Sequence, residues 1–313
     1  MNLSATIVTY NDQAEALRAA ASVLEHTRRH PLTLYLVDNA STDGTGPALE
    51  AAAACGRLAA RPDQTVRVIR RQANGGFGAG HNTVLPGLAS DYHFILNPDI
   101  LLREDTLSGL AEWMQAHPAA VMARPSLCFP DGRVQVLPLR RCSLRPMVYR
   151  QLSFLSFLKK YNDAYVMAGE DLTRPRQIEF CTGSFAAVRT GAFKAAGGFD
   201  EGYFMYTEEV DLQLRLRRAG IPALLDADLE VRHVGGGSSG GEARRRRWLV
   251  GARMRFARKH GNVHLLRCAM TLATGVNLLW NSARRAAGRD VAPLAVAREE
   301  LDLIHRAGRT LPR

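Results

Sequence analysis

At 313 residues, with 46% hydrophobic and 23% charged side chains, the chain can bury a core without staples and has none of the bias of fibrous or disordered proteins. Its five cysteines form no CxxC pair, which argues against a disulfide framework or a zinc site and for a reducing compartment. Forty-one Lys and Arg face 30 Asp and Glu, a net charge of +11, so the expected partner is anionic: nucleic acid, an anionic membrane or a phosphorylated substrate.

The N-terminal MNLSATIVTY is too short and too strand-like for a signal peptide. It opens a series of apolar runs, LSATIVTY, TLYLVD, TVRVIR and YHFILN, each of strand length. Between them lie EALRAAASVLEHTRR, DGTGPALEAAAACGRLAA and GHNTVLPGLAS, with helical composition or spacing. Strands alternating with helices predict βαβ units and a mostly parallel α/β sheet covered on both faces. Ligands of such sheets lie beyond the carboxyl ends of the strands. That rule gathers TYN (9–11), VDNAS (37–41), NGGFGAGHN (74–82) and NPD (97–99) on one edge.

After Pro125 the pattern changes: FPDGRV predicts a hairpin turn, and residues 138–175 have no clear period and read as a variable, acceptor-side insertion. IEFCTGSFAAVR predicts a strand, and EEVDLQLRLRRAG a helix ending at Gly220. GGGSSGGEARRRRW runs from a linker into a basic helix, and the rest is Arg-rich and helical. The longest nearly uncharged apolar stretch, residues 268–280, falls short of the ~20 residues that span a bilayer, so a cytoplasmic location, at most on a membrane surface, is expected.

Several short stretches carry chemistry. Asp38 and Asn39 are turn formers by type, and equally able to hydrogen-bond the edge of a pyrimidine base. Four glycines in nine residues at 74–82 suit a tight turn or a backbone lying against a sugar or diphosphate; the loop has neither the GK[ST] ending nor the GxGxxG spacing. Asn97 and Asp99 flank Pro98, so both can reach past a strand end; Mg²⁺ takes oxygen ligands and often uses one carboxylate plus substrate phosphates. Thr207 can cap a helix whose first turn carries Glu208, Glu209 and Asp211, an arrangement the helix dipole favours on structural grounds alone. Asp211 has Arg215 at i+4 and reads as structural. Glu209, approached by the aromatic GYFMY, is a general-base candidate whose pKa partial burial would raise. His233, at the end of a strand-like run, is a candidate third metal contact. RRRRW (244–248) and RMRFARKHGN read as a solvated face or an anionic-lipid contact; no nucleic-acid motif accompanies them, leaving a basic nucleic-acid-binding protein as a remote alternative.

In this order, TYN, VDNASTDGT, NGGFGAGHN, LNPDI, CTGSF and GGFDEGYFMYTEEVDLQLR resemble the family 2 glycosyltransferases of GT-A fold over about residues 3–235, and most closely the bacterial rhamnosyltransferases of surface polysaccharides. The resemblance implies a GT-A catalytic domain over 1–240, with a nucleotide-sugar half (1–125) and an acceptor half (126–240), followed by a basic helical region, 241–313, able to associate with membrane. It implies inverting transfer from a nucleotide sugar, dTDP-L-rhamnose above UDP-hexose or UDP-galactofuranose, to a lipid-linked glycan acceptor at the inner membrane surface. Carried over, Thr9, Tyr10, Asn11, Asp38, Asn39, Asn74, Gly75, Gly76, Phe77, Gly78, His81, Asn82 and Asn97 fall on the donor. Asp99 and His233 fall on a Mg²⁺ or Mn²⁺ ion. Glu209, within the acidic cluster of Glu208 and Asp211, falls on the base, and Thr182, Gly183 and Ser184 on the acceptor. Asn97 stands where the first aspartate of the metal motif is usual, and Glu209 where aspartate is.

Overall fold

The computed structural model describes residues 1–58, 61–135, 154–171, 174–218, 223–233, 241–289 and 294–306, with residues 140, 146, 149 and 152 between them. The four apolar runs form β1 (Leu3–Thr9), β2 (Leu32–Asp38), β3 (Gln64–Arg70) and β4 (Tyr92–Leu96), separated by α1 (Gln13–His26), α2 (Thr45–Ala54) and the short α3 (Phe77–Asn82). β5 (Ile100–Leu101), α4 (Thr106–Ala116) and β6 (Met122–Cys128) follow, then α5 (Lys159–Tyr165), β7 (Arg176–Ile178) and β8 (Phe185–Arg189). Last come α6 (Thr190–Ala195), α7 (Glu208–Arg218), β9 (Ala223–His233), α8 (Glu242–His260), α9 (Val263–Ala286) and α10 (Leu294–Arg306).

The strands make one sheet in the order β3-β2-β1-β4-β8-β6-β9-β5, with β7 also on β9. β3 through β4 are parallel, and β8 enters antiparallel between β4 and β6. Register fixes the functional edge: Thr9 pairs with Asp38 and Asp38 with Arg70, so the loops after β1, β2 and β3 leave side by side. At the far side Ile100 pairs with His233, which sets the end of β9 against the Asn-Pro-Asp turn.

All seven residues of β1 are buried, Ser4 and Thr6 included. Burial of these hydroxyls is tolerable because His93 of β4 pairs with both, Nδ1 at 2.7 Å from Ser4 Oγ and Nε2 at 3.3 Å from Thr6 Oγ1. Burial holds the imidazole neutral and depresses its pKa to about 3. Since the unfolded chain takes up a proton near pH ~6.5 and the folded chain does not, this histidine removes stability as pH falls below that point. Urea denaturation should show about 2 kcal/mol of His93-dependent loss between pH ~7.5 and ~5, absent in His93→Gln.

Three local expectations are corrected. The strand expected across IEFCTGSFAAVR is interrupted between β7 and β8, because the backbone N–H and C=O of Cys181 bond the side chain of Gln213 instead of a neighbouring strand. The helical GHNTVLPGLAS holds only the end of α3 and a 3₁₀ turn at Leu85–Gly87, since Pro86 lacks the donor a continuing helix needs. Thr207 has φ +72° after Tyr206 at +71°, so it does not hold the extended backbone of an ordinary N-cap. The expected end of α7 at Gly220 lies outside the described residues, as does most of 136–153. The FPDGRV hairpin is present: Gly132 N–H donates to Phe129 O (2.9 Å) and Phe129 N–H to Arg133 O (2.8 Å).

The chain divides into two compact units. The first, Met1–Leu139, Glu170–Phe204 and Glu208–Ser238, contains the whole sheet. The second joins Arg140–Gly169 and Met205–Thr207 to the C-terminal helices from Ser239 on, around Val250, Met254, Leu266, Met270, Leu303 and Ile304.

Candidate active site

Two loops close the carboxyl ends of β1 and β2 onto each other. Asn39 N–H donates to Thr9 O (2.9 Å), Asn11 N–H to Ser41 Oγ (2.9 Å), and Thr42 N–H to Asn11 Oδ1 (2.8 Å). Asn11 and Ala40 hold positive φ, 52° and 64°, so the backbone turns sharply at both strand ends. Thr9 is buried, Asn11 exposed, and Tyr10 is 39% exposed beside them. Asp38, 2% exposed, accepts from Ser41 N–H at 3.1 Å, and a Cβ on Gly46 would overlap its carboxylate.

Asn39 links this edge to the glycine loop. Its Nδ2 donates to Asn74 Oδ1 (2.9 Å) and Gly76 O (3.1 Å), while Arg71 donates to its Oδ1 (2.7 Å). Gly76 has φ +89°, Phe77 N–H donates to Phe204 O (3.0 Å), and a Cβ on Gly76 would overlap that carbonyl. Gly75 sits against Ala79 and Arg71, and Gly78 against Phe199 and, farther off, Glu208. Here glycine is required by close approach to protein backbone and side chains. His81 is fully buried, its ring 4.4 Å from that of Phe77 and 5.9 Å from that of Phe199. Neither ring nitrogen has a hydrogen-bond partner among the described residues, and burial drives its pKa well below the ordinary value. Asn82 bonds Phe199 backbone and Glu201.

Past β4 the backbone N–H of Asn97 donates to Ser184 O (3.0 Å). Asp99 Oδ1 lies 3.4 Å from His233 Nε2. Gln135 fixes that imidazole: its Nε2 donates to His233 O (2.5 Å), so its Oε1, 2.8 Å from Nδ1, is the acceptor of the Nδ1 proton. With Nδ1 protonated, a neutral ring presents the Nε2 lone pair to a carboxylate oxygen. Two acceptors at that separation repel unless a proton or cation stands with them. Asp12 adds a second carboxyl to the surroundings, its pKa raised by burial and by the negative charge of Asp99. The donor set, carboxylate oxygen and imidazole nitrogen, therefore fits Mg²⁺ or Mn²⁺ sharing a substrate diphosphate. Among the described residues no group of three or more His, Cys, Asp or Glu is placed to hold a metal unaided. Neither Gln135 nor Asp12 was singled out from sequence; Gln135 stands just past a hairpin turn with no pattern around it. Gln135→Leu should weaken Mn²⁺ affinity of the donor-loaded protein by about 10–100-fold, measured by loss of the free-ion EPR signal.

The acidic helix reaches this edge from the other side. Gln213, one turn after Glu209, bonds Glu209 O (3.0 Å) and both backbone groups of Cys181, pinning α7 to CTGSF. Gly183 lies against Phe77, with the Cβ of Glu209 about 4.0 Å from where its own would be. The chain from Asp99 back to Asn97, the Asn97–Ser184 hydrogen bond and the approach of Glu209 to Gly183 thus link the two sides. Glu208 is 4% exposed and Glu209 half-buried. Asp211, fully buried, takes Arg215 Nε at 2.9 Å, and Arg215 also bonds Ala196 O and Gly198 O, which makes the pair a clamp on that turn. Thr182 is buried, its hydroxyl without a partner among the described residues. Burial pushes the Cys181 thiol up to about 12, against the opposing charge of Arg124, so it is no nucleophile at neutral pH.

A mostly parallel sheet flanked by helices, with an acidic turn after β4 and helices beyond the sheet, is the GT-A architecture of nucleotide-sugar-dependent glycosyltransferases. Residues 4–197 match the model of glycosyl transferase family 2, and the chain belongs to that family. It is 30% identical over 250 residues to the N-acetylglucosaminyl-diphospho-decaprenol L-rhamnosyltransferase of Mycobacterium tuberculosis, covering 76% of this chain and 78% of that one. It is also 30% identical over 158 residues to rhamnosyltransferase WbbL of Escherichia coli K12, covering 48% and 58%. Among solved structures, a Pyrobaculum calidifontis mannosyltransferase in complex with GDP-Man and Mn²⁺ superposes with a TM-score of 0.59 at 18% identity, covering 98% of this chain and 85% of that one. S. aureus TarS 1–349 with UDP-GlcNAc gives 0.55 at 14% identity, covering 98% and 72%. These likenesses show the fold. The chain is a glycosyltransferase related to rhamnosyltransferases.

Proposed function

We propose that the protein transfers L-rhamnose from dTDP-L-rhamnose, with inversion, to a hydroxyl of a lipid-linked glycan acceptor. The observation that carries the reading is the contact path joining the Asp99–His233 pair to Glu209 across Asn97 and CTGSF. Asp38 holds the base, Asn39 braces the glycine loop beside it, and that loop lies along the sugar and diphosphate. Asp99 and His233 would hold a divalent ion, which when bound supplies charge neutralisation to the departing diphosphate. Glu209 accepts the acceptor hydroxyl proton as the new bond forms at the anomeric carbon, while the bond to the diphosphate oxygen breaks on the opposite face. One displacement inverts the centre; retention by a double displacement would call for a second carboxylate close to the reacting carbon.

Rhamnose is favoured by the Mycobacterium tuberculosis relative, which is an L-rhamnosyltransferase named for a lipid-diphosphate acceptor. Such an acceptor would hold the protein at the inner face of the cytoplasmic membrane as a peripheral protein, in polysaccharide synthesis. Among the described residues no helix is long and apolar enough to cross a membrane. Incubation with Mn²⁺, a synthetic lipid-diphosphate-linked N-acetylglucosamine and each of dTDP-L-rhamnose, UDP-glucose and UDP-galactofuranose tests the reading. Release of dTDP with a rhamnosylated product is expected; release from a UDP-sugar alone would overturn it.

A further inference from the structure

The chain's net charge comes from one end. Residues 239–313 carry 16 Lys and Arg against five Asp and Glu, an excess of 11 that equals that of the entire chain. In this region α8, the helix of the RRRRW run, turns its apolar residues inward: Val250, Met254, Phe256 and Ala257 are all buried. It has no such face left to offer a partner.

The neighbouring helix does. α9 buries Leu266, Met270, Ala273 and Thr274, with Leu266 and Met270 in the core shared with α8 and α10. Away from that face, Leu265 (55%), Leu272 (71%), Val276 (36%) and Leu279 (72%) are exposed. At 100° per residue these four, with exposed Cys268, fall within about 80° of arc, along about 21 Å of axis. Trp280, 45% exposed, borders the stripe and stacks on Phe154 (4.9 Å, 8° between planes); Phe157, three residues on, is 67% exposed and leads into Lys159 and Lys160. α9 has no acidic residue and carries Arg267, Arg284 and Arg285. Scattered exposed apolar residues are ordinary, whereas a continuous stripe on one helix marks a contact surface.

We infer that α9, with Trp280 and the adjoining Phe154–Phe157 segment, is the element that lies in an anionic bilayer surface, its Leu265–Leu279 stripe entering the acyl boundary and the net positive charge of the region drawing it to the anionic headgroups. The inference deepens the lipid-acceptor reading above and moves the insertion from the RRRRW helix, which contributes charge alone. Charge complementarity selects the occupant: a second copy of the chain would bring two equally basic helices together.

Sedimentation of the full chain with vesicles of phosphatidylcholine, with and without phosphatidylglycerol, tests it alongside size-exclusion chromatography, thermal melting and calorimetry with dTDP-L-rhamnose. Strong binding only to the phosphatidylglycerol vesicles is expected, and about a tenfold loss in Leu272→Gln/Leu279→Gln, whose exposed sites leave melting and elution volume unchanged. Equal vesicle binding by wild type and double variant would overturn the inference, as would no binding by wild type, or a wild-type dimer that the variant splits. Vesicle binding without donor binding would sink the rhamnosyltransferase reading and leave the membrane face standing.

Discussion

Glu209→Gln should lower kcat by about 10²–10⁴-fold while dTDP-L-rhamnose binds with unchanged affinity. The substitution keeps the shape of the side chain and removes only its capacity to take a proton. The surroundings of the residue make this a clean test: Glu209 lies in the first turn of a helix pinned through Gln213 to Cys181, so the variant retains its position against Gly183. Single-turnover transfer to a synthetic acceptor gives the rate, and calorimetry gives donor affinity. Glu208, more deeply buried beside Gly78, serves as the control. If Glu208→Gln stopped turnover and Glu209→Gln did not, the base would be Glu208.

Asp99→Ala should reduce kcat/KM by about 10²–10³-fold and abolish the stimulation by Mn²⁺. Without the carboxylate, His233 remains as a single imidazole ligand oriented by Gln135, too little to hold a hard cation. Donor titrations with and without Mn²⁺ read the effect directly. In wild type the ion should tighten binding of the diphosphate, and in the variant the two curves should coincide. Ion-dependent tightening that persisted in Asp99→Ala would place the cation elsewhere.

Much of the first half of the sheet could be read from the chain, because alternating apolar runs and helical spacing report burial directly. The C-terminal half was less legible for identifiable reasons. CTGSF looks like strand by composition, yet its backbone groups are taken by the side chain of Gln213, which no local pattern reveals. The pairing of Ile100 with His233 is a contact over 133 residues of chain, so nothing near either residue announces it. Gln135 lies just past the FPDGRV turn, where no local signal marks it, and acquires its place against His233 only through folding. The RRRRW run showed its charge plainly, but only packing reveals that its apolar side faces inward and that the exposed stripe belongs to the next helix.

Tyr206 and Thr207 take left-handed backbone angles in succession, immediately before Glu208. For side chains of this kind such angles cost about 1–3 kcal/mol each. Evolution of greater heat resistance therefore has a ready target next to the proposed base: glycine at either position would relieve the tension. The same relaxation would loosen the start of the helix that aims the carboxylates, so thermal robustness and turnover pull in opposite directions at this bend.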